Sequence, residues 1–186
     1  MKRPLTSLLR PVPVMLLALA FLFSGCTAAR RSLPADEAAI SSKVAVLQGR
    51  LAGLAPLPDP VEARRAAETA VTFSLRLADA YRVVPPARWH NLLIQMGIRE
   101  RGLCFHWTED LMKRLQELGL SSLDLHWGVA HRGSDLREHN SVVITAAGQP
   151  FETGLVLDPW RQSGDLFWAR VDRDVYPWVP LPRDEW

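Results

Sequence analysis

Three residues in the second half of the chain have the types and spacing that acyl-transfer chemistry needs. Cys104 supplies a nucleophilic sulfur, His139 follows it by 35 residues and Asp158 lies 19 residues further on. A thiolate attacks a carbonyl carbon far better than a thiol does, so the sulfur needs a neighbour able to carry its proton. An imidazole performs that task near neutral pH. A carboxylate on its second nitrogen fixes the tautomer and steadies the imidazolium.

The local patterns say which elements must present these groups. Cys104 opens the stretch of residues 104–118, where Trp107, Leu111, Leu115 and Leu118 recur at helical spacing before Gly119 ends the run. A sulfur at a helix N-terminus lies beside unpaired backbone N–H groups and the positive end of the dipole. Gly102, two residues earlier, allows the sharp turn that leaves the sulfur approachable. The Cys104 N–H is then a natural donor to an oxyanion. Gln95, Trp89 and Asn91 are the candidates for a second donor. His139 stands at the mouth of a strand over residues 140–146, and Asp158 ends the apolar run 154–157, just before Pro159. Trp160 is expected to wall the site, and His126 to line the cleft or lie on a polar strand face. A competing arrangement is a zinc set drawn from Cys104, His106, His126, His131 and His139, although their spacing fits no compact metal pattern.

The segments Gly102-Leu-Cys104, Glu138-His139-Asn140 and Leu155-Val-Leu-Asp158-Pro-Trp160 resemble the papain-like superfamily, most closely its transglutaminase-like branch. Members of that branch carry Gly-x-Cys at a helix start, His at the start of one strand and Asp near the end of the next. The resemblance spans roughly residues 88–171. It implies Cys104 as nucleophile, His139 as base and Asp158 as the orienting group, with peptide, isopeptide or amide bonds as substrates. Ser141 stands two positions after the histidine, where the family often has tryptophan.

Helical patterns precede these segments. Asp36 and Glu37 open one running toward Gly49, with Ile40, Val44 and Leu47 on one side. Three prolines between residues 53 and 60 mark a turn. A second helix over residues 61–83 is expected to bury Ala67, Val71, Ser74, Leu75 and Ala78 and to expose Glu62, Arg64, Arg65 and Glu68. A short piece over residues 89–96 leads to the cysteine helix. Strands are expected over residues 123–129, 140–146, 154–157 and 167–171. Helices followed by strands predict an α+β domain in which the N-terminal helices and the cysteine helix pack on an antiparallel sheet.

The first residues read differently. Lys2, Arg3 and Arg10 precede an apolar run, residues 12–23, that is too short to span a bilayer as a helix. Leu22-Phe23-Ser24-Gly25-Cys26 resembles a bacterial lipoprotein signal, which implies a lipid on Cys26 and membrane attachment through it. Thr27 after the cysteine implies outer-membrane sorting, facing the periplasm. The expected organisation is a signal over residues 1–25, a tether over 26–34, a helical region over 35–84 and a transglutaminase-like core over 85–186. With Cys26 lipidated, Cys104 is the single remaining thiol and no internal disulfide is possible. The chain's 22 basic and 20 acidic residues give +2; without Lys2, Arg3 and Arg10 the balance is 19 to 20, or −1. That near-neutral remainder carries no basic stripe, so nucleic acid is not an expected partner. The expectation is a cell-envelope thiol hydrolase or acyltransferase that needs no cofactor or metal. Its partners would be protein or peptide substrates, cell-wall peptides among them. The alternative is a lipoprotein that uses the same fold for protein binding or assembly.

Overall fold

The computed structural model describes residues 34–186. The signal segment, Cys26 and all but the last residue of the tether lie outside the described residues. Four helices come first: α1 (Pro34–Ala52), α2 (Pro60–Ala80), α3 (Ala87–Gln95) and α4 (Cys104–Gln116). Five strands follow: β1 (Leu123–Ala130), β2 (His139–Ala146), β3 (Leu155–Asp158), β4 (Phe167–Arg170) and β5 (Trp178–Pro180). They form one antiparallel sheet in the order β4-β3-β2-β1-β5.

The start of α2 follows from local chemistry. Asp59 accepts the Val61 and Glu62 N–H groups at 2.6 and 3.1 Å, and Pro60 occupies a first-turn position that needs no N–H partner. The buried face of α2 is Ala63, Ala66, Ala67, Ala70, Val71, Ser74 and Leu77. The expected stripe had the right phase at Ala67, Val71 and Ser74, but Leu77 rather than Leu75 is buried. Four alanines let α1 approach closely, so Leu47 and Leu51 of α1 are fully covered. Glu62 is not the solvated charge expected. Its carboxylate accepts both the N–H and the hydroxyl of Ser121 and of Ser122, joining α2 to the start of β1. These bonds, those from Ser122 foremost, pull its pKa to about 2.

Strand β2 is buried at all of its positions, because both faces of the sheet are covered there. Val142, Ile144 and Ala146 join Leu155 and Leu157 of β3 against α2 and α4. Val143 and Val156 face the other way, toward Phe151, Val171 and Trp178. This period of two sets the site: Asn140 belongs with Val142, and His139 belongs with Ser141 and Val143. Ser141 is fully buried and donates its hydroxyl to the Leu157 carbonyl at 2.7 Å, tying β2 to β3. The edge strand β5 was not expected from the sequence. Pro177 and Pro180 mask it, and an edge strand tolerates proline because one row of its backbone groups needs no partner.

Candidate active site

The turn before α4 is clamped from three sides. Gly102 has φ +125°, and a Cβ there would lie 2.4 Å from Nε2 of His90. His90, 1% exposed, accepts the Val84 N–H on Nδ1 at 3.2 Å. Its proton is therefore on Nε2, which donates to the Arg101 carbonyl at 2.9 Å. The Trp107 indole donates to the Gly102 carbonyl at 2.9 Å. His106 Nδ1 accepts the N–H groups of Gly102 and Leu103, each at 3.2 Å. That capping needs a neutral ring, and burial, reinforced by the Arg101 charge, holds the His106 pKa below the ordinary histidine value. Trp107 is buried edge-on against Tyr81, with ring centroids 4.9 Å apart. The Tyr81 hydroxyl donates to Asp110 at 2.5 Å, and Arg101 pairs with the same carboxylate at 2.9 Å.

Cys104 emerges half-buried from this turn at the mouth of β2. Its Sγ lies 3.9 Å from both the Glu138 carbonyl oxygen and Asn140 Nδ2. The Asn140 carboxamide is oriented by the Trp127 indole, which donates to its Oδ1 at 2.7 Å and leaves the NH2 end toward sulfur. The thiol and the His139 imidazole line the same cavity.

The opposite side is built from charge. His139 Nε2 lies 2.6 Å from Asp158 Oδ2, and both side chains are almost fully buried. Burial by itself lowers the His139 pKa. The hydrogen bond and charge of Asp158, with the sulfur of Cys104 nearby, outweigh it and raise the value to about 9. The ring is an imidazolium at neutral pH, so Nε2 donates to the carboxylate. Asp158 is held in turn: Arg161 Nε donates to Oδ2 at 3.0 Å and the Arg161 backbone N–H to Oδ1 at 3.1 Å. The rest of the guanidinium grips Asp174 through two bonds of 2.9 and 2.8 Å, and Trp178 Nε1 donates to Asp174 at 2.8 Å. Two cations and two anions thus alternate through a space with little water, which is the condition for burying them without severe penalty. Trp160, Tyr176 and Trp178 surround the His139 ring at centroid distances of 4.7, 4.9 and 5.4 Å, and such aromatic faces favour its cationic form. The loop carrying Trp160 and Arg161 closes on Gly164, whose N–H donates to the Pro159 carbonyl at 2.8 Å.

Two cavities, about 590 and 390 Å³, adjoin at Cys104. The larger holds His139, Trp160 and Tyr176; the smaller runs past Leu103, Phe105 and Asn140. Gln95 and Asn91 line both, and Asn91 is fixed by the Trp160 indole donating to its Oδ1 at 3.1 Å. Trp89 lines neither cavity; it lies on the outer face of α3 and is 48% exposed. His126 also stands away, bonded to Thr145 at 2.9 Å and packed on Phe151. Among the described residues no group of three His, Cys, Asp or Glu side chains is gathered to hold a metal. Arg161, Asp174, Asn140 and His90 were not singled out from the sequence. Arg161, in the turn three residues beyond Asp158, was the nearest of them to the expected site in sequence.

The fold is α+β, with helices packed on a five-stranded antiparallel open sheet, and Cys104 and His139 line one groove with Asp158 paired behind the histidine. Compared with known protein families, curated proteins and solved structures, the chain matches none. Among the described residues no helix is long and apolar enough to cross a membrane.

Proposed function

We propose that this chain is a thiol hydrolase or acyltransferase of the papain-like, transglutaminase-like kind, acting on peptide, isopeptide or amide bonds. The observation that carries the reading is the buried His139–Asp158 pair at 2.6 Å, which shares a cavity wall with a half-exposed Cys104. In this account the sulfur, its proton on His139, attacks the carbonyl carbon. The resulting oxyanion is received by the Cys104 N–H at the helix start, with Gln95 or Asn91 as the second donor. His139 gives its proton to the departing amine and leaves a thioester. Water or a second amine then breaks the C–S bond, and sulfur and imidazole recover their starting state. Asp158 keeps the ring oriented throughout, and Arg161 holds Asp158 in place.

Reactivity tests the reading. Cys104 is expected to react with iodoacetamide at pH 6 faster than a free thiol does, with a rate that depends on His139. A Cys104 that stays unreactive until the protein is denatured would overturn it.

The envelope reading belongs to the same proposal: Cys26 is lipidated and anchors the domain, at the outer membrane facing the periplasm. The Leu22-Phe-Ser-Gly-Cys26 segment supports it. Labelled palmitate should enter the wild-type chain and not the Cys26→Ala variant; equal labelling would reject the anchor.

A further inference from the structure

The groove is electrostatically lopsided about the sulfur. The larger cavity, on the His139 side, is lined by Arg88 from α3 and by Arg137 and His131 from the turn before β2. Neither guanidinium has a hydrogen-bond or ion-pair partner among the described residues. The single carboxylate on that wall, Glu138, is engaged by the Gly133 N–H at 2.7 Å. The smaller cavity contains Asp135 and Glu138 and no arginine, lysine or histidine.

The chemistry assigns a direction to this difference. The amine that leaves the carbonyl carbon must take its proton from His139, and His139 lines the larger cavity but not the smaller. The leaving half of the substrate therefore lies on the side of the two unpaired arginines. Guanidinium groups bind carboxylates in a forked, two-bond geometry that ammonium groups do not reproduce. We propose that the cavity beside His139 is an anion-binding subsite, in which Arg88 and Arg137 hold a carboxylate on the leaving-group half of the substrate. This rests on the reading of Cys104 as nucleophile. It narrows the substrate class to peptides or amides that release an amine bearing a carboxylate, with a neutral or cationic acyl half in the smaller cavity. In that step the C–S bond forms and the C–N bond breaks. The imidazolium proton passes to nitrogen, and water later supplies oxygen to the acyl carbon and a proton to the sulfur–imidazole pair.

The test compares two alkylating probes that differ in charge, iodoacetate and iodoacetamide, on the full chain at pH 7 and low salt. For each protein the iodoacetate rate is divided by its own iodoacetamide rate, so any general loss of reactivity cancels. Arg88→Gln/Arg137→Gln is expected to lower this ratio at least fivefold, Lys at both positions to restore part of it, and 0.5 M salt to abolish the difference. Arg50→Gln/Arg64→Gln, which removes two exposed arginines from α1 and α2, should leave the ratio unchanged. An unchanged ratio in the Arg88/Arg137 variant, or an equal fall in both variants, overturns the subsite. The absolute iodoacetamide rate reports separately on the nucleophile reading. A slow, His139-independent rate would sink that reading, while the ratio would still report on the arginines.

Discussion

The two sides of the candidate site are held by different physics. Around Cys104 the clamps are neutral and directed at the backbone: His90 on Arg101, Trp107 on Gly102, and His106 on two N–H groups. Around His139 they are charges, running through Asp158 and Arg161 to Asp174. A nucleophile at a helix start needs its turn fixed in space, and neutral hydrogen bonds do this for as long as the His106 ring stays unprotonated. A proton carrier needs its protonated form favoured, and a buried carboxylate behind it does that at the cost of a second cation to balance the carboxylate. The Cys104 side should therefore be vulnerable to steric change and the His139 side to charge removal.

The sharpest way to break this contrast is to remove the proton carrier. His139→Ala should slow iodoacetamide labelling of Cys104 at pH 6 by roughly a hundredfold, to the rate of a free thiol, while leaving the fold intact by circular dichroism. A loss under tenfold would mean that sulfur does not depend on the ring. Next, Arg161→Leu should cost about 3 kcal/mol in denaturant unfolding, because it strands Asp174 as a buried charge and leaves Asp158 with His139 alone. Arg161→Leu/Asp174→Leu should cost less than the single change, since it leaves fewer buried charges uncompensated. A double variant worse than the single would show that the charges act independently.

On the other side, Gly102→Ala should cost about 2 kcal/mol, because its new methyl group meets His90 and the left-handed φ disfavours it. It should also slow Cys104 labelling without moving the alkaline limb of the pH profile. The smallest effects concern pH. His139 titrates at about 9 in the fold against 6.5 for an ordinary histidine. Its stabilising contribution is complete below pH 6.5 and is lost as pH rises through about 9. His106 has the opposite sign: its lowered pKa gives stability that is present above pH 6.5 and falls away in acid as the ring protonates. Urea midpoints in His106→Gln should lose that acid-side dependence; an unaltered dependence would contradict the capping role.

Much of the Cys104 side was legible because it is local. Gly102, Cys104 and the 107/111/115 period lie within one stretch of chain, and helix α4 starts where they require. His139 and Asp158 were legible as strand ends, since each adjoins an apolar run, Val142-Val-Ile144 in β2 and Leu155-Val-Leu157 in β3. Their charge partners were not. Asp174 lies in a segment with no hydrophobic period, and its contact with Arg161 exists only after the chain has folded back across the sheet. Trp89 illustrates the reverse failure: an aromatic near the site in sequence rides the outer face of α3, because Ala87 and His90 take the buried one. Proline hid β5, and with it the placement of Trp178 against His139.

The claim on which the account turns is that sulfur, imidazole and carboxylate form one coupled unit. Nitrogen-15 NMR of the histidine ring, recorded across a pH titration, reads it directly. The account predicts that His139 titrates near 9 in the wild-type protein and moves down in both Asp158→Asn and Cys104→Ser. A His139 that titrates at or below 6.5, or one whose titration is indifferent to Cys104→Ser, would contradict it.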